Sequence, residues 1–357
     1  MAFRISSMNA HSASDAYRRH LGRKRLLFAG MLVLLPFAFF HALTVGPVGI
    51  GWTEVVRILL GYDAPETHSR IVYHLRLPQA LASLLAGAGL AISGATMQAV
   101  LRNPLCSPFT LGISGAAAFG AALVLFLRDE TVAATGIASW LLGSVTVGAF
   151  LSSLLATGLI LSLSGRRSMK TETIILVGVA LGAFYGAGIM MLQYFATERQ
   201  LVAMTYWTFG DTHRATWPSV VVMSLSVVVS IIYFVSQSWN YNALALGEEN
   251  AQALGVPVRR VMLGTMFCAS MLTAVLVTSL GIIGFVGLVM PHVVRLLVGS
   301  DNRFVLPCSL VGGALLLLVA DSAGRSITPG CLMPVSILTA FLGAPFFLLM
   351  LLNGKNA

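Results

Sequence analysis

Nine stretches of this sequence, each 17 residues or longer, contain no Asp, Glu, Lys or Arg: 26–53, 77–101, 103–127, 131–165, 173–197, 215–247, 261–294, 304–320 and 326–354. A bilayer core takes about 20 helical residues per crossing, so each run is read as one membrane span except 261–294. That run is too long for one span, and Gly281, Gly284, Gly287 and Pro291 interrupt it. Glycine and proline weaken or break a helix. The expectation is therefore one helix at about 261–280 and a second, short or broken, at about 284–298 that ends near Arg295. Ten transmembrane helices result. Composition agrees: 57% hydrophobic residues, 10% charged residues and a mean hydropathy of +0.86 lie outside the range of soluble domains of this length.

An even number of spans puts both termini on one side. The cluster Arg18, Arg19, Arg23, Lys24 and Arg25 before the first span marks that side as the cytoplasm. Assigning the loops alternately places 15 of the 22 Lys and Arg residues inside. The other seven lie outside and are matched by seven acids, Glu54, Asp63, Glu66, Asp129, Glu130, Glu198 and Asp211. The net charge of +9 is thus a topology signal and does not indicate a nucleic-acid partner. The apolar run after the basic cluster is too long for a cleaved signal peptide. Residues 1–25 read as a basic cytoplasmic segment, disordered over 1–17, and 26–353 as one membrane domain.

Small residues recur at helical spacing in Gly87, Ala91, Ala95 and Ala99, in Ser144, Gly148, Ser152 and Ala156, and in Gly178, Gly182 and Gly186. Helix association in lipid depends on close backbone approach, so these stripes read first as packing faces and alternatively as the lining of a conduit. Cys106, Cys268, Cys308 and Cys331 show neither disulfide nor metal-ligand spacing. The stretch Ala243–Gly255, within a segment at about 241–256, reads as two short helices around a turn at Gly247. It lies on the membrane interface or docks a cytoplasmic partner.

The motifs Arg76-Leu-Pro78, Ser93-Gly-Ala-Thr-Met-Gln98, Arg102-Asn-Pro-Leu105, Leu246-Gly-Glu248, Gly284-Phe-Val-Gly-Leu-Val-Met-Pro-His292, Ala320-Asp321 and Leu342-Gly-Ala-Pro-Phe346 occur in one order along the chain. In that order they resemble the signatures of the iron-complex and vitamin B12 (FecCD-type) permease family of type II ABC importers. The resemblance covers about residues 55–352. It implies an all-α, ten-helix permease that forms a homodimer in the bacterial inner membrane, with two cytoplasmic ABC ATPase subunits below and a substrate-binding protein above. The cargo would be a ferric siderophore, haem or a corrinoid such as vitamin B12, with an iron complex ranked first. The permease would bind no cofactor itself, ATP being used by the partner subunits.

Carried over by position, Leu246, Gly247, Glu248 and Glu249 resemble the helices that couple to the ATPase. Arg76 and Arg325 resemble the arginines that receive acids of the binding protein. Gln79 stands where some relatives carry a further arginine. Asn103, Leu105, Thr171 and Glu172 resemble the cytoplasmic gate. Glu172 departs from the small polar residue expected there, and Lys170 is a candidate partner for it. Gly178, Gly182, Gly186 and Met190 resemble the pathway-lining face of the fifth span.

Two side chains have competing readings. Asp321 is one turn before Arg325, where an i,i+4 ion pair would satisfy an acid that is costly inside a membrane. His292 after Pro291 is read as structural or ATPase-facing rather than as a ligand. The trio Asp211, His213 and Arg214 divides evenly between docking or cargo contact and a plain loop. An ion-coupled secondary transporter is the competing class, and it would call for ionisable groups near the midplane. A membrane enzyme would need a reactive constellation at depth. The sequence holds no HExxH, no GxSxG and no GxxxxGK followed by Ser or Thr.

Overall fold

The structure is a computed structural model that describes residues 10–127, 144–164, 171–327 and 333–353. These are helical, with no strand among the described residues. Helix α1 (Ala10–Thr44) is followed by two short helices, α2 (Trp52–Leu59) and α3 (Glu66–Ile71). Helix α3 continues through a wide turn at Val72–Arg76 into α4 (Leu77–Val100). The wide turn has a chemical cause. Pro78 has no N–H to donate to the preceding turn, and the ladder slips so that the Leu77 N–H reaches the Val72 carbonyl five residues back. Arg76 is therefore inside one long helical rod, not at the opening of a helix.

Next come α5 (Ile113–Leu127), α6 (Val145–Ser164), α7 (Thr171–Phe195) and α8 (Glu198–Thr208). A 3₁₀ turn at Thr212–Arg214 leads into α9 (Trp217–Ser236). Thr197 with Gln200, and Thr216 with Ser219, form reciprocal capping pairs that start α8 and α9. The chain then forms α10 (Ser238–Ala245), α11 (Glu248–Ala253), α12 (Val258–Leu280), α13 (Val286–Val298), α14 (Asn302–Ile327) and α15 (Val335–Asn353). The interrupted run thus contains two helices, as its glycines predict, although Pro291 sits inside α13 and not at the break. Helix α1 starts at Ala10, so the basic cluster lies on a helix; the rest of the segment expected to be disordered, 1–9, is outside the described residues.

Seven helical segments among the described residues are long and apolar enough to cross a membrane: those at Leu21–Thr44, Glu66–Val100, Val145–Ser164, Thr171–Phe195, Trp217–Ser236, Val258–Leu280 and Asn302–Ile327. Apolar segments Ile113–Leu127, Val286–Val298 and Val335–Leu349 are shorter. The chain is a multi-pass membrane protein.

The long rod through α4 is the centre of the bundle, 83% buried over its most apolar window against 17% for α7. Glycine brings its neighbours in. A Cβ on Gly94 would lie 1.8 Å from the Gly287 carbonyl oxygen of α13, and one on Gly87 would lie 2.2 Å from that of Gly313 in α14. Ala91 lies against Gly313 as well, and Gly148 and Ser152 of α6 meet Gly120 of α5. These two stripes are packing faces, the backbone-on-backbone contact that replaces apolar burial as the adhesive in lipid.

Between α12 and α13 the backbone leaves the helix, with Gly281 and Phe285 at φ +83° and +67°. Irregular backbone at membrane depth has to be covered by protein. Here the Asp211 N–H donates to the Leu280 carbonyl (2.8 Å), and the Ser336 N–H donates to the Gly210 carbonyl (3.1 Å). The 207–211 segment seals the break from one side: a Cβ on Gly281 would lie 2.8 Å from the Phe209 carbonyl oxygen.

Candidate functional site

Polar chemistry collects at the two ends of α4, about 36 Å apart at 1.5 Å per residue. At its N-terminal end Arg76 is only 4% exposed. Its guanidinium donates to the carbonyls of Leu43 (2.8 Å), Thr44 (2.9 Å) and Val48, the acceptors left free where α1 ends. Arg325, near the end of α14, donates to Asp321 Oδ2 (2.7 Å) and to the Val45 carbonyl (3.1 Å). Asp321 also accepts from the Thr212 hydroxyl. The i,i+4 pair expected from the sequence is formed, and all three charges are buried.

Arg76 and Arg325, which the resemblance assigns to binding-protein docking, are bonded within the chain here. Withdrawing either guanidinium would strand its acceptors. The trio 211–214 is likewise used internally. His213 Nδ1 and its backbone N–H both donate to Asp211 Oδ1 (2.5 and 3.0 Å), while Arg214 donates to the carbonyls of Trp207 and Tyr206 at the end of α8. Burial raises the Asp211 pKa, but the His213 hydrogen bonds and the nearby charges of His213 and Arg214 outweigh it and hold the carboxyl below its usual range. Trp217 Nε1 donates to the Tyr73 carbonyl (3.1 Å), which fastens α9 to the same end.

The opposite end is built differently. Helices α10 and α11 meet at Gly247, whose φ of +107° favours glycine. The two short helices around this turn are those read from the sequence. Leu246, Glu248 and Glu249 are exposed. Arg102, in the loop after α4, reaches Glu248 Oε1 at 3.5 Å, with the two side chains 44% and 52% exposed. In that loop the Leu105 N–H donates to Asn103 Oδ1 (2.8 Å), so Asn103 caps the turn it makes with Pro104, and the Leu105 side chain is exposed. No hydrogen bond or ion pair joins Thr171 or Glu172 to Asn103 or Leu105 among the described residues. Glu172 is exposed and Lys170, its candidate partner, is outside the described residues.

Several groups at this end escape motif reading. Arg295 of α13 donates to Gln98 Oε1 and to the Ala95 carbonyl (3.2 Å) of α4. Asn242 of α10 donates to Asp301 (2.8 Å) and accepts from the Asn302 backbone N–H (2.8 Å) and side chain (3.0 Å). Asp301 titrates at about 2, held down first by hydrogen bonds from Arg303 and, against its partial burial, by Asn242. The Arg303 guanidinium lies over the Trp239 ring. Only the Asn-rich run Trp239-Asn-Tyr-Asn242 hints at this network in the sequence.

The expected pathway face of α7 splits in two. Gly178 is buried against Thr110 and Leu111, where a Cβ would come within 2.7 Å of backbone. Gly182 and Gly186 have open space where a Cβ would point, and Met190 is exposed. No group of three or more His, Cys, Asp or Glu among the described residues is arranged to hold a metal ion. Cys106, Cys268 and Cys308 are free thiols, and Cys331 is outside the described residues.

Residues 34–353 match the FecCD transport family. The chain belongs to that family. It is 33% identical over 332 residues to the hemin transport system permease protein HmuU of Yersinia pestis, covering 93% of this chain and 97% of that one. The vitamin B12 import system permease protein BtuC of Vibrio vulnificus is 35% identical over 288 residues, 81% of this chain and 84% of BtuC. The molybdate import system permease protein MolB of Haemophilus influenzae is 31% identical, covering 90% and 94% of the two chains. A solved metal-chelate type ABC transporter in an inward-facing conformation superposes with a TM-score of 0.79 at 29% identity, over 92% of this chain and 99% of that one. The chain is an ABC importer permease, which removes the ion-coupled secondary transporter from consideration.

Proposed function

We propose that two copies of this chain form the membrane pathway of an importer that carries an iron complex, either a ferric siderophore or haem, or a corrinoid such as vitamin B12. A binding protein delivers the cargo, and two separate ATPase subunits hydrolyse ATP. The observation that carries this reading is the exposed α10–α11 turn, with Leu246, Glu248 and Glu249 presented at the end of the bundle opposite the buried charges. Short helices of this kind let a closing partner turn a bundle as a rigid body.

The excess of basic residues marks the Glu248 end as cytoplasmic, with both termini on that side of an inner membrane. The three shorter apolar helices complete ten crossings, since the break before α13 is covered by protein and needs no lipid contact. Gly182, Gly186 and Met190 line the pathway between two copies of α7, and Asn103, Leu105, Thr171 and Glu172 form its cytoplasmic gate. A face of glycine and methionine passes a bulky chelate because it offers nothing strong enough to retain it. The relatives named for hemin and vitamin B12 favour such a cargo; the one named for molybdate makes a small oxyanion the alternative. Arg76 and Arg325 receive acids of the binding protein, and the exposed Arg57 and Arg199 help to orient it.

The test is purification of the chain from its native membrane in mild detergent, with identification and counting of what copurifies. An ATPase at two copies per two permeases is expected. An intact oligomer that lacks an ATPase, under conditions that preserve such complexes, would overturn the reading.

A further inference from the structure

We propose that Arg102 is a positioning residue that ties the loop after α4 to the turn between α10 and α11, so that a displacement of α11 reaches Asn103 and Leu105 directly. The importer reading supplies only what pushes on α11; the tie is a property of this chain.

Three observations carry it. Arg102 faces Glu248 across 3.5 Å with both side chains about half exposed. Such a half-exposed pair contributes too little to hold the bundle together and little enough to be broken and remade. Second, Arg102 has φ +46°, a left-handed conformation that costs a residue with a Cβ about 1–2 kcal/mol. It faces another left-handed residue, Gly247, where a Cβ would sit 4.0 Å from Arg102 Nη1. The strain falls where the helix ends and the Asn103–Pro104 turn begins. Third, a solvent-open cleft of about 250 Å³ lies beside the pair, lined by Arg102, Asn103, Pro104, Tyr241, Ala245 and Asn302 among others. No packed core fills the cleft, so the loop can shift there without displacing close-packed side chains.

The neighbouring contacts give the tie a direction. Helix α10 is anchored to α14 by Asn242 and to α12 by the hydrogen bond between Tyr241 and Thr265 (2.8 Å). Gly247 is then the swivel between a fixed α10 and α11, and Glu248, the first residue of α11, carries the charge that Arg102 holds. Motion of α11 pulls on the strained end of α4, and the cleft leaves room for it.

Hydrogen exchange on the detergent-purified chain tests the tie without any partner. Arg102→Glu should speed exchange of residues 103–106 and of α11 together, by about two- to five-fold as expected for a pair of this strength. The charge-swapped R102E/E248R should restore both. Independent changes in the two segments, or no restoration, would overturn the proposal. Arg102→Gly relieves the backbone strain while removing the charge, so it separates a lost tie from a misfolded loop and should loosen both segments as well.

In proteoliposomes with the copurified ATPase, Leu105→Cys, in a chain whose native cysteines are alanine, should change its maleimide labelling when ATP and vanadate are added. Arg102→Glu should abolish that response while ATP hydrolysis continues. A response that persists sinks the proposal. If the unmodified Arg102 protein shows no nucleotide response, the importer reading fails instead, and the exchange measurements still decide the tie.

Discussion

The two ends of the central helix use the same residue types for opposite purposes. At the Arg76 end the charges are enclosed: Arg76, Asp321 and Arg325 are buried and partnered by carbonyls of the α1 end and by one another. At the Glu248 end the corresponding pair, Arg102 with Glu248, is half in water. A buried charge left without its partner costs several kcal/mol, whereas an exposed pair contributes little. One end is therefore a fixed clasp that joins α1, α4, α14 and the 212–214 turn. The other presents charges that a partner can engage without dismantling the bundle.

The sharpest way to break this contrast is Asp321→Ala, which strands the Arg325 guanidinium and should cost about 3–5 kcal/mol. It would be read as a fall in the thermal midpoint of the purified chain, with Arg325→Met added in the same protein recovering much of the loss. A stable single variant would mean the clasp is not closed. Gly94→Ala comes next, because its Cβ would fall inside the Gly287 carbonyl and overpacking of this kind costs about 1–3 kcal/mol. At the other end, Glu248→Arg should change stability little, within about 1 kcal/mol, yet uncouple cargo uptake from ATP hydrolysis. Normal uptake by that variant would discredit the coupling assignment.

Acid sharpens the comparison further. The folded-state pKa of Asp301 lies below its ordinary value, so its contribution is present above about pH 4 and is lost as the pH falls toward about 2. The contacts from α10 to α14 should loosen over that window, as amide exchange at 238–245, while Asp301→Asn should remove the dependence. The smallest effect is expected for Arg70→Ala at the clasp end. Its pair with Glu66 is exposed, and stability should fall by no more than about 0.5 kcal/mol. A large shift there would show that the enclosed charges depend on the surface around them.

Much of this was legible beforehand. Charge-free runs marked the spans because a charge facing lipid is costly along most of a crossing helix. The break before α13 and the turn at Gly247 followed from glycine, which acts on its own backbone. The Asp321–Arg325 pair was readable because four residues make one helical turn. What escaped was what meets across the bundle: Arg295 with Gln98, 197 positions apart, and Arg325 with Val45, 280 apart.

The partners of the carried-over residues were hidden for the same reason. Arg76 and Arg325 match the positions of docking arginines, but the end of α1 folds over them and takes their hydrogen bonds. Gly178 belongs to the same stripe as Gly182 and Gly186, but the 110–112 segment fills the space where its Cβ would point and leaves that of the other two open. The sequence by itself determined the membrane class, the family and the local breaks, since each depends on composition, on the order of short motifs or on neighbours within about one helical turn. Only the tertiary structure decided which charges are enclosed and which stay available, because burial is a property of what packs against a residue from elsewhere in the chain.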